Sequence, residues 1–180
     1  MIIVLVILVI LAVLAVSVFN NITSLENRVA NALSQIDVQL KKRSDLVPNL
    51  VNTVKGYAAH ESGVFEAVTK ARSMLQTANT VEEKAVASNA LTGALRTVFA
   101  VAENYPQLKA DTSFLNLQSE LSDLESKIAY SRQFYNDTVL SFNNSITTIP
   151  GVFLAGPMNK TKKSMFEAGE GDRAVPEVTF

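Results

Sequence analysis

Residues 114–149 read FLNLQSELSDLESKIAYSRQFYNDTVLSFNNSITTI, and the spacing within them decides the fold. Phe114, Leu121, Ile128, Tyr135, Phe142 and Ile149 recur at intervals of seven, with Leu117 and Leu124 in the alternate seam. This is the stripe of an amphipathic α-helix and not the alternation of a strand. The seam turns polar at Ser131, Thr138 and Ser145, while Val139 and Ile146 take over one position later. Such drift is what a helix of 3.6 residues per turn shows when it faces several neighbours rather than one coiled-coil partner. The 36 residues form a helix roughly 54 Å long.

Helical patterns also fill the chain upstream. Ile22, Leu25, Val29, Ala32, Leu33, Ile36 and Leu40 recur at steps of three and four. A break is expected around residues 42–48, because Ser44 or Asp45 suits an N-cap and Pro48 fits the first turn of a following helix. That helix would carry Val47, Leu50, Val54, Tyr57, Phe65, Val68 and Leu75 and end near Ala78 and Asn79. Gly56 and Gly63 would each weaken it by about 1 kcal/mol relative to Ala. Thr80 followed by Glu83 reads as a capping box for a third helix, with Leu91, Leu95, Val98, Ala102 and Tyr105 on one face and Pro106 closing it. The pattern leaves open whether the first two helices are one kinked rod or two antiparallel segments. Four amphipathic helices with short connections predict an all-α fold, an antiparallel up-and-down four-helix bundle over residues 21–150. Burial of one apolar stripe per helix, at about 25 cal/mol per Å², would hold it together.

Residues 2–19 are apolar except for Ser17. As a helix they span about 27 Å, close to the roughly 30 Å hydrocarbon core of a bilayer. Residues 1–20 are therefore expected to be a retained transmembrane anchor. A cleaved signal peptide, for which Ala15, Val16 and Ser17 would supply the small residues, needs a positive leading region that this run lacks. The cations that follow, Arg28 and then Lys41, Lys42 and Arg43, place the bundle on the cytoplasmic side of the inner membrane.

Residues 151–180 change character, with Lys160, Lys162 and Lys163 clustered and Gly169, Glu170, Gly171 and Asp172 further on. An extended C-terminal tail is expected there. Its Phe153, Leu154, Phe166, Val175, Val178 and Phe180 are too apolar for a solvated segment, so they should pack on the bundle or on a neighbouring subunit.

Composition narrows the chemistry. The net charge of −1 offers no basic field for nucleic acid. The absence of cysteine excludes disulfides, iron–sulfur clusters and thiolate zinc sites. His60 is the sole histidine; a zincin motif would need a second His where Val64 stands, and a di-iron bundle a Glu where Tyr57 stands. His60 is expected to be an exposed polar side chain, and no cofactor or metal is expected. A minor alternative gathers Tyr57, His60 and Glu61 into a catalytic cleft. Lys41, Lys42 and Arg43 suit either anionic lipid head groups or a solvated turn.

Residues 41–61, KKRSDLVPNLVNTVKGYAAHE, closely resemble the signature of the LemA family. In the family's order there follow ENYPQLKA at 103–110 and LQSEL at 117–121. Glu125, Ile128, Ala129, Arg132, Tyr135, Asn136, Phe142, Asn143, Pro150 and Phe166 come next, and PEVTF closes at 176–180. The likeness covers nearly the whole chain. It departs at Lys42, Arg43 and Ser44, where family members often carry paired arginines and an aromatic before the Asp. The resemblance implies a bacterial-type cytoplasmic-membrane protein with one N-terminal span and a four-helix bundle. Family members look non-enzymatic; some take part in forming membrane organelles, and others are associated with membrane proteases. No catalytic residues come with the resemblance.

Within the signature, Asp45, Pro48 and Asn49 suit a helix start, and Arg43 and Lys55 can pair with acidic residues on adjacent helices. The candidate interaction surface is Arg43, Asp45, Asn49, Lys55, Tyr57, His60, Glu61, Phe166 and Phe180. The expected function is a non-enzymatic scaffold anchored in membrane lipid that self-associates as a homo-oligomer. The alternative is an adaptor or regulator of a membrane-bound enzyme such as a protease.

Overall fold

A computed structural model of the chain describes residues 1–166. These are all-helical: α1 (Ile2–Lys55), α2 (Ser62–Thr77), α3 (Val81–Ala102), the short α4 (Pro106–Lys109), α5 (Thr112–Thr147) and the short α6 (Val152–Ala155). No strand occurs among the described residues. Two compact units form: residues 1–35 with 131–165, and residues 36–130 with Phe166. Both α1 and α5 supply residues to each.

The expected break at residues 42–48 is absent. Helix α1 runs from the apolar leader through Pro48 to Lys55 without interruption. Its buried stripe continues through Ile36, Leu40, Arg43, Val47, Leu50 and Val54, so Asp45, Pro48 and Asn49 lie within a helix and do not start one. A proline here has no N–H for the carbonyl four residues back, which is that of Ser44. The Arg72 side chain, from α2, fills the gap: its Nε donates to the Ser44 carbonyl at 2.9 Å. The stop comes later, at Gly56. There the amides of Tyr57 and Ala58 both turn back onto the Val54 carbonyl, at 3.0 and 2.9 Å, and the side chain of Ala58 is buried. The single helix expected between residues 47 and 78 is therefore divided. Its first part is the end of α1, and its second is α2.

Only Ala78, Asn79 and Thr80 connect α2 to α3, so the two pack as an antiparallel hairpin. The expected capping box is present: the Thr80 hydroxyl accepts from Glu83 N–H, and the Glu83 carboxylate accepts from the amides of Asn79 and Thr80. These amides hold the Glu83 carboxyl below its ordinary range. Like the start of α1, α3 is long and apolar enough to cross a membrane, but its apolar face is largely buried inside its unit, whereas none of the leader's most apolar window is buried.

In α5 the buried positions are Phe114, Leu121, Leu124, Ile128, Ser131, Tyr135, Val139, Phe142 and Ile146. The drift read from the sequence is realised, and the step of seven fails only at Ile149, which lies past the helix end and is exposed.

In the unit of residues 1–35 and 131–165, the segment after α5 is not a simple extended tail. It turns through a cis Ile149–Pro150 bond into α6, and residues 160–165 form neither helix nor turn. Gly151 is required there, because a Cβ would collide with the Ser145 carbonyl. Residues 160–165 form a strap fastened by polar contacts. Lys163 N–H donates to Asn143 Oδ1 and the Asn143 amide donates back to the Lys163 carbonyl, at 2.8 and 2.9 Å. Tyr135 donates to the Ser164 carbonyl at 3.0 Å, and Glu26 takes Lys160 at 2.6 Å and Lys163 at 3.2 Å. The Lys160 ammonium holds the Glu26 carboxyl below its ordinary range. Of the apolar tail residues expected to pack, Phe166 is buried and Leu154 half-buried, but Phe153 is exposed. Val175, Val178 and Phe180 lie outside the described residues.

The contact between Arg72 and Ser44 is testable by a double-mutant cycle. Arg72→Ala is expected to cost about 1–3 kcal/mol by orphaning a half-buried carbonyl. In a Pro48→Ala background the cost should shrink, because the new N–H reaches the same carbonyl. Denaturant unfolding of the four proteins measures the coupling, and additive effects would refute the assignment.

Candidate functional site

Two polar constellations organise the unit of residues 36–130. The first is centred on Arg43, which falls on the apolar stripe of α1 and is only 3% exposed. Nη1 lies 2.7 Å from Glu125 of α5 and 3.0 Å from the hydroxyl of Thr92 on α3. That hydroxyl is 3.1 Å from the Ser88 carbonyl and 3.4 Å from Glu125. One guanidinium thus joins three helices; Ser44, next to Arg43 on α1, and Ser88, one turn before Thr92 on α3, are buried as well. A cleft of about 470 Å³ opens beside the pair, lined in part by Leu95, Phe99 and Gln118. Lys84 of α3 bonds both oxygens of Asp37 on α1, at 2.7 and 2.9 Å, and adds a second link between these helices.

The second constellation joins two connections, the one between α1 and α2 and the one between α3 and α5. Tyr57 donates to Asp111 at 2.9 Å, and Tyr105 donates to Glu61 at 3.3 Å. Each connection therefore gives a phenol to the other and takes one in return. Asp111 also accepts the Phe114 N–H at 2.9 Å, which caps the start of α5. That amide, and after it the Tyr57 hydroxyl, lowers the Asp111 pKa. The Tyr57 phenol is pushed up by its hydrogen bond to Asp111. Tyr105 is pushed up first by desolvation and then by the Glu61 charge. Lys109 pairs with Glu103 at the same connection, and Leu108 is buried beneath it.

The candidate residues divide accordingly. Arg43 pairs with an acidic residue of a neighbouring helix as expected, but it is buried and presents no surface. Lys55 does not follow: its Nζ sits 5.5 Å from the centroid of the Phe65 ring. Asp45 is exposed and bonded to Lys41 one turn back, at 3.0 Å. The side chain of Asn49 is exposed, and the residue's backbone carbonyl accepts from the Thr53 hydroxyl. His60 is exposed. No hydrogen bond joins Tyr57, His60 and Glu61 to one another; Tyr57 and Glu61 are each held by a different residue of the opposite connection. Phe166 is buried, and Phe180 lies outside the described residues. Thr92, Glu125, Tyr105 and Asp111 were not among the candidates. A basic residue at an apolar stripe position of α1 was the available signal for a buried ion pair. Nothing local connects Tyr57 with a residue 54 positions away.

Among the described residues, no group of three or more His, Asp or Glu side chains is placed to hold a metal ion. The polar side chains instead tie helix to helix and connection to connection. With the exposed apolar leader, these features define a helical, membrane-associated protein. The chain belongs to the LemA family, whose model matches residues 32–180. It is 27% identical over 158 residues to Protein LemA of Metamycoplasma hominis, covering 86% of this chain and 71% of that one. It is also similar to two magnetosome proteins. MamQ of Magnetospirillum gryphiswaldense is 25% identical over 68% of this chain, and MamQ 2 of Paramagnetospirillum magneticum is 23% identical over 76%. The aligned parts make up 54% and 60% of those two relatives.

Arg43→Ala is expected to destabilise the protein by about 2–4 kcal/mol in denaturant unfolding, below the full buried-pair cost because Glu125 keeps access to water. Arg43→Met combined with Glu125→Leu should recover most of that loss; a double variant as unstable as the single one would contradict this role.

The tyrosine–carboxylate exchange has a defined pH window. Folding lowers the Asp111 pKa, so its contribution is present above the unfolded value and lost as pH falls through the folded one. Folding raises Tyr57 and Tyr105, so theirs is present below the unfolded phenol range and lost as pH rises through the folded values. In Tyr57→Phe, the Asp111 carboxyl followed by carbon NMR should titrate at higher pH than in the parent. An unchanged titration would mean that the Phe114 amide alone sets it.

Proposed function

We propose that this protein is a single-pass membrane scaffold: the apolar leader of α1 spans the lipid, and the helical region behind it self-associates on the cytoplasmic side without enzymatic activity. In this reading the four helical segments of residues 36–130 pack as an antiparallel up-and-down bundle, which the short α2–α3 connection and the Arg43 link from α1 to α3 and α5 support. The observation that carries the proposal is the division of labour among side chains. The polar residues Arg43, Tyr57, Glu61, Tyr105 and Asp111 are engaged within the protein, while large apolar ones on the same unit, Met74, Val86 and Tyr130 among them, are exposed. Met74 and Val86 line a groove of about 440 Å³ along the α2–α3 hairpin. Exposed apolar side chains gathered at one groove suit association with another protein surface. Similarity to proteins named for the magnetosome supports a role in organising membranes.

The chain has no native cysteine, so Val86→Cys gives a single reporter for cross-linking in intact membranes. Adducts between copies of the protein are expected. A single heterologous adduct would favour an adaptor to another membrane protein, such as a protease, and monomer alone would refute self-association.

A further inference from the structure

The turn after α5 and the start of α6 present three large apolar side chains to the outside: Ile149 is 78% exposed, Phe153 71% and Val152 43%. The turn itself is well built. Gly151 and Ala155 are buried beneath it, the Val152 amide bonds the Thr148 carbonyl at 2.9 Å, and the Lys160 amide closes onto Ala155 at 2.9 Å. Its apolar face therefore belongs to an ordered knob.

Contacts within the same unit place this knob along the chain. Lys163 is bonded to Asn143 through its backbone and to Glu26 through its ammonium, which puts Asn143 and Glu26 at one level. Glu26 lies seven residues past Phe19, the last of the apolar run, a rise of roughly 10 Å. Helix α1 continues unbroken beyond Gln35 and α5 arrives unbroken from before Ser131. The ends that these helices bring to the unit are therefore the leader of α1 and the C-terminus of α5. Ile22, between Phe19 and Glu26, is fully buried, so the packed part of this unit begins on α1 just past the apolar run. Exposed apolar residues at that level, in a unit that also carries the exposed Lys162, have the composition of an interfacial membrane contact.

We infer that Ile149, Val152 and Phe153 form a second membrane contact, a knob that dips into the interfacial layer of the bilayer beside the anchor. The inference rests on the single-pass reading above. The knob and the helix leader then hold the protein to lipid at two points, and the unit's rotation about the axis of the anchor is restricted. Lipid is favoured over a protein partner because the knob sits at the level where the apolar leader ends, and none of that leader's most apolar window is buried.

Single-cysteine variants of the full chain test this after labelling with an environment-sensitive fluorophore. They are reconstituted in vesicles of equal parts phosphatidylethanolamine and phosphatidylglycerol. Phe153→Cys reports the knob, Val9→Cys the anchor, and Gln133→Cys an exposed site earlier on α5 in the same unit. With a shallow nitroxide lipid, quenching at position 153 should exceed that at 133 by about twofold or more, and position 9 should be quenched by a deep nitroxide lipid. Quenching at 9, with 153 no different from 133, would overturn the knob contact and leave the anchor standing. No lipid quenching at either 9 or 153 would overturn both. Energy transfer between copies labelled at 153, without lipid quenching there, would overturn the lipid contact in favour of a second copy of the chain.

Discussion

Pro48 takes one donor out of α1 where its apolar stripe is buried, and the structure depends on how that loss is met. The Ser44 carbonyl loses the amide it would bond in an uninterrupted helix, and a buried carbonyl without a partner costs about as much as several good side-chain contacts can supply. Arg72 provides the donor. With that bond in place α1 continues past the proline, its stripe stays in register through Val47, Leu50 and Val54, and α2 is docked at a defined height. Arg43, one residue before Ser44, then meets Glu125 and Thr92. Adjacent residues of α1 are thus tied to α2 on one side and to α3 and α5 on the other.

Polar contacts in this protein contribute position more than energy. Apolar stripes can slide past one another by a turn at modest cost, since Leu, Val and Ile are nearly interchangeable along a seam. A buried guanidinium with a carboxylate and a hydroxyl in reach has one satisfactory register. The paired exchange of phenols between the two connections, Tyr57 to Asp111 and Tyr105 to Glu61, does the same for the loops. Four of the residues that set this register, Arg43, Tyr57, Glu61 and Tyr105, fall in the stretches 41–61 and 103–110, where their contacts are internal to the protein.

In the unit of residues 1–35 and 131–165 the same logic holds the strap. In residues 161–165, which form no helix or strand, backbone groups go to side chains: Asn143 pairs both ways with Lys163, and Tyr135 donates to the Ser164 carbonyl. Glu26 then gathers two lysines. Gly151 lets the backbone approach the Ser145 carbonyl more closely than any side chain would allow. Ile149 and Phe153, two residues to either side of Gly151, are exposed.

Much of this was legible in the linear chain. The apolar run of residues 2–19, the helical period of 22–40 and 114–146, and the capping box of Thr80 and Glu83 are local patterns, and local patterns survive folding because the interactions that make them span a few residues. The end of α1 was not legible. A proline beside a good capping residue is the usual mark of a helix start, and only a side chain 28 positions away reverses that reading. The same holds for Arg43, whose partners are 49 and 82 residues distant. The candidate surface was mixed in the same way: Asp45, Asn49, Tyr57 and His60 are exposed, while Arg43 and Phe166 are buried. The amino-acid sequence by itself determined which residues are helical and which faces are apolar, because those follow from period and composition. Tertiary structure decided where a helix could afford to lose a hydrogen bond and which charges went inside, because a distant donor or counter-charge exists only once the chain has folded.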